Sequence, residues 1–405
     1  MPAMISVDQA LAFLLERARP VGERESVAVA EALGRVIAVA QRSPIDVPGY
    51  ANSQMDGYAV RSRDAAGGGE VRLRVTQRIA AGETGASLGT GEAARIFTGA
   101  PLPEGADAVV IQEDCRLEGE HVVFSVAVVP GENVRPRGND ILAGSEVLAA
   151  GTRVRPQEMG LAASLGLARL DVVRRLRVAV FSSGDELLQP GEALRPGCIY
   201  NSNRYTMTGL LAALGCEMID LGTVADTAEA TRTALLDGAG RADVVVTSGG
   251  MSVGDEDHVK RAVEEVGDIE MWQVSVKPGK PLAYGRIGAA DFLGLPGNPV
   301  STLVTFCLFV RPFLLRRLGV ADVEPKPLAV TADFRWPEPG RRREYARARR
   351  SAGADGSWHA ELYPKQGSDV LTSSVWADGL VEIREGRRVE PGDSVPYLPF
   401  AELLY

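Results

Sequence analysis

The stretch VVVTSGGMSVGDEDHV (244–259) decides the fold. Three valines and a threonine in succession show no polar alternation, as expected of a strand buried on both faces. Gly249 and Gly250 end the run, and Asp255, Glu256 and Asp257 lead into a helical pattern over Val259–Val266. The same grammar recurs at VAVFSSGDEL (178–187) and FLGLPGNPVS (292–301). Strand-like runs at Val178–Phe181, Met218–Leu221, Val244–Thr247 and Phe292–Leu295 alternate with helical stretches at Tyr205–Leu214, Ala228–Asp237, Val259–Val266 and Val300–Leu315. Such alternation predicts an α/β domain with a mainly parallel sheet from Val178 to about Leu318.

On the N-terminal side, Ser6–Arg17 reads as an amphipathic helix, with a second, shorter helical pattern at Val27–Val39 interrupted by Gly34. From Ser43 the texture becomes β-rich. Short apolar runs at Val71–Val75, Ala93–Phe97, Ala108–Gln112 and His121–Val129 are separated by Gly and Pro clusters. Gly138–Gly151 closes this insertion, and Gln157–Leu165 reads as a helix leading out. On the C-terminal side EPKP (324–327) reads as a linker, and Leu328–Tyr405 as a small β-domain. The Arg-rich run Arg341–Arg350 alternates with Ala and Tyr, which predicts the solvated face of a strand, with a basic ligand patch as the lesser alternative.

Of 405 residues, 45% are apolar and 24% charged, which excludes wholesale disorder. A net charge of −9 argues against a nucleic-acid or anionic-membrane surface. Four scattered cysteines and three histidines give neither a disulfide framework nor zinc spacing, so a metal here would need oxygen ligands. No leader is expected, and the longest apolar stretch, Val300–Val310, is shorter than a bilayer span; the expected location is cytoplasmic.

In an open parallel sheet, ligands bind beyond the carboxyl ends of the strands. Three strands here end in small residues whose backbone N–H groups can approach an oxyanion closely. The loops also carry Asp185, Glu186 and Asp255–Asp257, and Asp226 follows a fourth strand. Carboxylates beside a phosphate-sized hole suit Mg²⁺, and capping of the following helices is the plainer alternative for Asp185 and Asp255. Only five of the 44 basic residues are Lys, and two of them, Lys277 and Lys280, flank the Pro-Gly turn of VSVKPGKPLAYG. Compact ammonium groups on a rigid turn point to an anion clamp. Together these groups are equipped for chemistry at a phosphoanhydride.

Seven segments carry a resemblance across nearly the whole chain: SPIDVPGYANSQMDGYAVR (43–61), RIFTGAPLPEGADAVVIQED (95–114), GENVRPRGNDI (131–141), SSGDELL (182–188), SGGMSVGDEDHVK (248–260), KPGKPLAYG (277–285) and LPGNPVS (295–301). In this order they resemble the motifs of the molybdopterin molybdenumtransferase (MoeA) family, which includes the gephyrin E-domain. GSDVLTSSVWADGLVEI (367–383) is similar to that family's C-terminal segment.

The resemblance implies a multidomain α/β plus β architecture. An extended helical stem would span 1–45 and 141–176, and a β-rich insertion 46–140. A MogA-like α/β molybdopterin-binding domain would span 177–320, and a C-terminal β-barrel 321–405. It also implies a homodimer and insertion of molybdate into adenylylated molybdopterin, with Mg²⁺ present and AMP released. By the same resemblance, Glu186, Asp226 and Asp257 would hold the metal, and Lys277 and Lys280 would meet the oxyanion. Asp56 and Thr98 would act from the insertion. Asp140, Ser183, Gly184, Ser248, Gly249, Gly250, Ser252, Pro296, Gly297, Asn298, Pro299 and Ser301 would contact substrate. Molybdopterin adenylyltransferase and apo-molybdoenzymes are the protein partners it suggests; nucleic acid and membrane are not. The alternatives are a gephyrin-like dimeric scaffold, for which no added partner domain is seen, and a tungstate-handling paralogue. Ser183, Cys198, Asn201, Met251 and His258 depart from the family's usual Thr, Gln, Asp, Val and Tyr; only Asn201 removes a charge.

Overall fold

Val-rich segments of the central region form a six-stranded sheet in the computed structural model, which describes residues 4–67, 69–250, 258–338, 340–354 and 356–404. The strand order is Glu217–Val224, Arg177–Ser183, Val244–Ser248, Ala290–Leu295, Pro281–Ile287, Asp268–Gln273. The first four strands are parallel and the last two antiparallel, so the sheet is mainly parallel as expected. Every residue of Val244–Ser248 and Ala290–Leu295 is buried, which explains their unalternating composition. On one face Val178, Val244 and Leu293 pack with Met207, Leu211 and Phe309; on the other Phe181, Val245 and Phe292 pack with Leu235 and Val263. Register aligns Ser182 with Ser248, and Ser248 with Leu295. The chain therefore leaves three neighbouring strands side by side at one edge.

The final helical run of this region, Pro299–Arg317, is 19 residues long with a mean hydropathy of 1.4. It is thus longer than the apolar stretch read from sequence and meets the length of a bilayer span. Over an 18-residue window of this run 83% of the residues are buried, with Phe306, Phe309 and Phe313 in the core.

Two expectations fail. Val27–Val39 is not a helix: Arg24–Ala28 is a strand paired antiparallel with Arg169–Val173, followed by a single 3-10 turn at Val29–Glu31. Long-range pairing of β-branched Val27 with Leu170 outweighs the local pattern, and Gly34 takes φ +74°. The second failure is partial: in the Arg-rich strand Arg343–Ala352, residues 344–348 are buried, Arg347 among them, while Arg349 is exposed as expected. This strand belongs to a closed five-stranded barrel with Trp358–Leu362, Leu328–Ala332, Ser394–Pro399 and Gly379–Ile383, the last pairing back to the first. The short helix Leu371–Trp376 lies over the face expected to meet water. Arg347 donates from Nε to Ser373 Oγ at 3.0 Å and from Nη2 to the Gly367 carbonyl at 3.0 Å. Its burial pulls the guanidinium pKa down to about 10.

The α/β region and the barrel belong to one compact unit, Met1–Ala38, Ala150–Pro156 and Arg169–Tyr405. Val39–Ala149 and Gln157–Ala168 form a second. The second unit holds its own six-stranded sheet, ordered Ala108–Ile111, Gly57–Val60, Glu92–Ile96, Val71–Ile79, His121–Phe124, Cys115–Glu118. Val60, Leu73, Val110 and Phe124 pack on one side of it, Ile79, Ile96 and Val109 on the other.

Candidate functional site

The aligned strand ends set the backbone of the site. Gly249 follows Ser248 with φ +92°, and a Cβ there would stand 2.6 Å from the Ser183 carbonyl oxygen. Gly297 lies so close that its own Cβ would be 3.5 Å from the Gly249 Cα. At Gly249 both the positive φ and the 2.6 Å approach to Ser183 require glycine, whereas a Cβ at Gly297 would make only ordinary contact. The Asn203 side-chain amide holds the Gly297 carbonyl from below at 2.7 Å. Asn201, the departure noted above, caps the helix Ser202–Ala213 by accepting from the Arg204 N–H at 3.2 Å, a role that needs no charge.

Around these loops lies a cavity of about 980 Å³. Ser183, Gly184, Glu186, Asp226, Gly249, Gly250, Lys277, Lys280, Pro296, Gly297, Asn298 and Ser301 all line it, so the structure brings together most residues singled out in this part of the chain. Ser248 sits behind the wall, 2% exposed, with its hydroxyl 3.3 Å from that of Ser182. Pro299 starts the helix Pro299–Thr305 beside the cavity, where its missing N–H costs no hydrogen bond. Ser252 and Asp257 lie outside the described residues.

One wall is acidic. Asp226 accepts from the Ser183 hydroxyl at 3.1 Å, and its own N–H is taken by Asp185 at 3.1 Å. Asp185 thus ties two loops together rather than starting a helix. The Glu186 carboxylate folds back over Gly184, where a Cβ would come within 2.5 Å of it. Among the described residues, no cation lies within ion-pair distance of Glu186 or Asp226. Two acceptor-only carboxylates on a cavity wall fit a hard divalent cation that keeps its remaining sites for substrate oxygens and water.

The cavity is also lined by cations: Arg342 joins the two lysines. Its Nη1 donates to the Val276 carbonyl at 3.2 Å, which anchors the lysine turn. Lys277 is not free: its ammonium stands 2.9 Å from the carboxylate of Glu344. Gln366, Gly367 and Ser368 complete the lining from the barrel, and Ser368 Oγ accepts from Asn298 at 2.8 Å. The barrel residues 366–368 were not singled out as site residues from the sequence, and Arg342 entered only within the Arg341–Arg350 run, whose lesser reading was a basic ligand patch. The GSDV segment at 367–370 was the available signal, but nothing local tells that it packs on a loop 70 residues earlier.

In the second unit, the Asp56 carboxylate accepts from both the backbone N–H and the hydroxyl of Thr98, at 2.8 and 2.7 Å. Those two bonds, the backbone one foremost, hold its pKa below the ordinary value. Asp140 is exposed in the same unit, its N–H bonded to the Val47 carbonyl at 2.9 Å.

Comparison with known proteins covers the chain from end to end. Residues 5–166 match the profile described as MoeA N-terminal region (domain I and II). Residues 179–316 match a probable molybdopterin binding domain, and 329–400 the MoeA C-terminal region (domain IV). The molybdopterin molybdenumtransferase of Haemophilus influenzae is 37% identical over 405 residues, covering 99% of this chain and 100% of the relative. That of Nostoc sp. is 40% identical over 305 residues, 73% of this chain and 70% of the relative. Two crystal structures of the molybdopterin biosynthesis MoeA protein from Pyrococcus horikoshii cover 98% of this chain. They have TM-scores of 0.86 and 0.79 at 26% and 32% identity, with 100% and 99% of their own chains covered. With fold, motif order and whole-length similarity in agreement, the chain belongs to the molybdopterin molybdenumtransferase (MoeA) family.

Proposed function

We propose that this chain acts in molybdenum cofactor biosynthesis as a molybdopterin molybdenumtransferase, inserting molybdate into adenylylated molybdopterin with release of AMP. The observation that carries this reading is one cavity lined together by glycine-rich strand ends, the carboxylates of Glu186 and Asp226, and the cations Lys280 and Arg342, with Lys277 paired to Glu344. Loop amides at Gly250 and Gly297, with the Ser301 hydroxyl, suit the oxygens of a phosphate group. The Gly249 N–H is given to the Leu295 carbonyl at 3.2 Å and the Ser183 hydroxyl to Asp226 at 3.1 Å, so these two shape the loops. Lys280 and Arg342 offer positive charge to a tetrahedral dianion, and Asn298, fixed by Ser368, orients the loop that holds it.

Glu186 and Asp226 are the residues that would hold Mg²⁺, with Asp257 as the third ligand implied by resemblance. A bound Mg²⁺ supplies charge neutralisation at an anhydride oxygen. Asp56, Thr98 and Asp140 are assigned to the same reaction by resemblance, as is a homodimer. The four-part division at 45, 140, 176 and 320 and a cytoplasmic location belong to the same reading. The test is AMP release from adenylylated molybdopterin, with molybdate and Mg²⁺ supplied to the purified protein. Release that needs both supports the proposal; pterin binding with no AMP liberated at any molybdate concentration overturns it.

A further inference from the structure

We infer that Glu344 is a positioning residue: its buried carboxylate fixes Lys277 and cancels its charge, leaving Lys280 and Arg342 to attract the oxyanion. This rests on the reading of the cavity as an oxyanion site and changes which cations do the work.

Three observations support it. First, the pair is asymmetric. The Glu344 side chain is 8% exposed and that of Lys277 50% exposed, at a separation of 2.9 Å. A carboxylate so enclosed is stable only while paired, so Lys277 cannot turn to a ligand without stranding a buried charge. Second, the contact is built into the backbone. Val276–Lys277 pairs in parallel with the barrel strand, and the register sets Lys277 beside Glu344 and Val276 beside Arg343. Gly340 leaves room for the second carboxylate oxygen, because a Cβ at that position would stand 2.5 Å from it. Third, Lys280 and Arg342 line the same cavity with no carboxylate in ion-pair distance among the described residues.

The charge count follows. Lys277, Lys280 and Arg342 are opposed by Glu186, Asp226 and Glu344, so the cavity with its backing residue is close to neutral. One unit of charge added or removed a few ångströms from a dianion changes its affinity by about tenfold. The charge state of position 344 therefore tunes oxyanion affinity although Glu344 does not line the cavity.

The experiment is calorimetric titration of molybdate into the full-length protein without nucleotide, with thermal melting to check folding. Glu344→Gln keeps the shape and removes the charge; it should tighten molybdate binding about tenfold by freeing Lys277. Lys277→Met should weaken binding about tenfold, because Glu344 is left unpaired beside the site. Lys277→Met with Glu344→Gln removes both charges and should bind within about twofold of the parent, as should Glu344→Asp. If Lys277 instead contacts the oxyanion directly, the double variant binds as poorly as Lys277→Met, and Glu344→Gln does not tighten binding; that result overturns the inference. Should Glu344→Gln alone not fold, the double variant, which carries no buried ion, decides between the same two outcomes. Lys280→Met and Arg342→Met separate this from the underlying reading. If neither weakens binding, the cavity is not the oxyanion site; if both do while Glu344→Gln changes nothing, only the role of Glu344 is lost.

Discussion

The two ends of the α/β sheet handle charge in opposite ways. At the amino end Asp243 is saturated: Arg174 forks onto both its oxygens at 2.8 Å, and the Arg177 N–H adds a third bond at 2.8 Å. Burial alone would push its pKa up, but these partners over-ride it and hold the carboxyl below the ordinary value. Asp291, at the start of its strand, is likewise bonded to Tyr284 at 2.8 Å and to Arg317. At the carboxyl end, Glu186 and Asp226 face a cavity with no cation beside them among the described residues. A satisfied ion network holds elements in place, whereas uncompensated charge is tolerated where a ligand completes it.

The largest effect should come from breaking the satisfied end. Asp243→Asn removes the charge that Arg174 and Arg177 share, and leaves Arg174, whose side chain is 20% exposed, without its fork. A loss of about 3 kcal/mol in stability is expected, read from urea denaturation, because the charge-assisted bonds from Arg174 and the Arg177 N–H are lost together, although Arg174 keeps its second carboxylate partner, Glu23. The effect should be greatest at neutral pH. A depressed carboxylate contributes its stability above its unfolded pKa of 3.8 and loses it as pH falls through the lower native value. Turnover per folded molecule should be unchanged. A turnover loss matching the stability loss would mean that the two ends are not separate in function.

Next in size is Lys280→Ala at the open end, with the signature reversed. AMP release should fall about 10²-fold if the ammonium stabilises developing charge, with the melting temperature nearly unchanged since no buried partner is stranded. A variant that loses stability but keeps turnover would place Lys280 among the structural groups.

This contrast was half legible in the sequence. Runs such as Val178–Phe181 and Val244–Thr247, ending in Ser-Gly turns, placed both the parallel sheet and its ligand edge, because strand burial and glycine conformation are local properties. The partner of each charge was not legible. Lys277 looked like half of a clamp, and its pairing with Glu344 depends on a barrel strand 67 residues later in the chain. Arg347 looked solvated because alternation reports one face of a strand and not what a later helix lays over the other. Val27 failed for the same reason: its strand partner, Leu170, lies far along the chain.

Glycine substitutions sharpen the comparison at smaller cost. Gly288, in the tight turn before Ala290, has φ +59° and open space around its missing side chain. Gly288→Ala should cost about 1 kcal/mol, the price of left-handed backbone for an L-residue, and leave turnover intact. Gly249→Ala carries the same backbone strain and also drives a Cβ to 2.6 Å from the Ser183 oxygen, where only the backbone of the neighbouring loop can give way. Its stability cost should be about 2 kcal/mol, and AMP release should fall further than the folded fraction accounts for. Equal turnover in the two variants would show that the convergence of the strand-end loops matters for folding alone.

The smallest effect tests a third way of stabilising a carboxylate, with neutral donors instead of a cation. Asp56 has no ion pair among the described residues, and its low pKa comes first from the Thr98 N–H and then from the Thr98 hydroxyl. Its native pKa lies below 3.8, so it should stay ionised where unfolded chains begin to protonate, and lose its contribution only as pH falls through the lower native value. Thr98→Val removes the hydroxyl but keeps the backbone donor. The Asp56 carboxyl carbon, followed by NMR, should then titrate at a higher pH than in the parent, yet still below 3.8. Because the bonds are neutral, the shift should be nearly independent of salt up to about 0.5 M, unlike that of Asp243, whose guanidinium partners are screened. A salt-sensitive Asp56 would mean that Arg95, the minor coulombic contributor, sets its charge, and would return it to the class of ion-paired carboxylates at the amino end of the sheet.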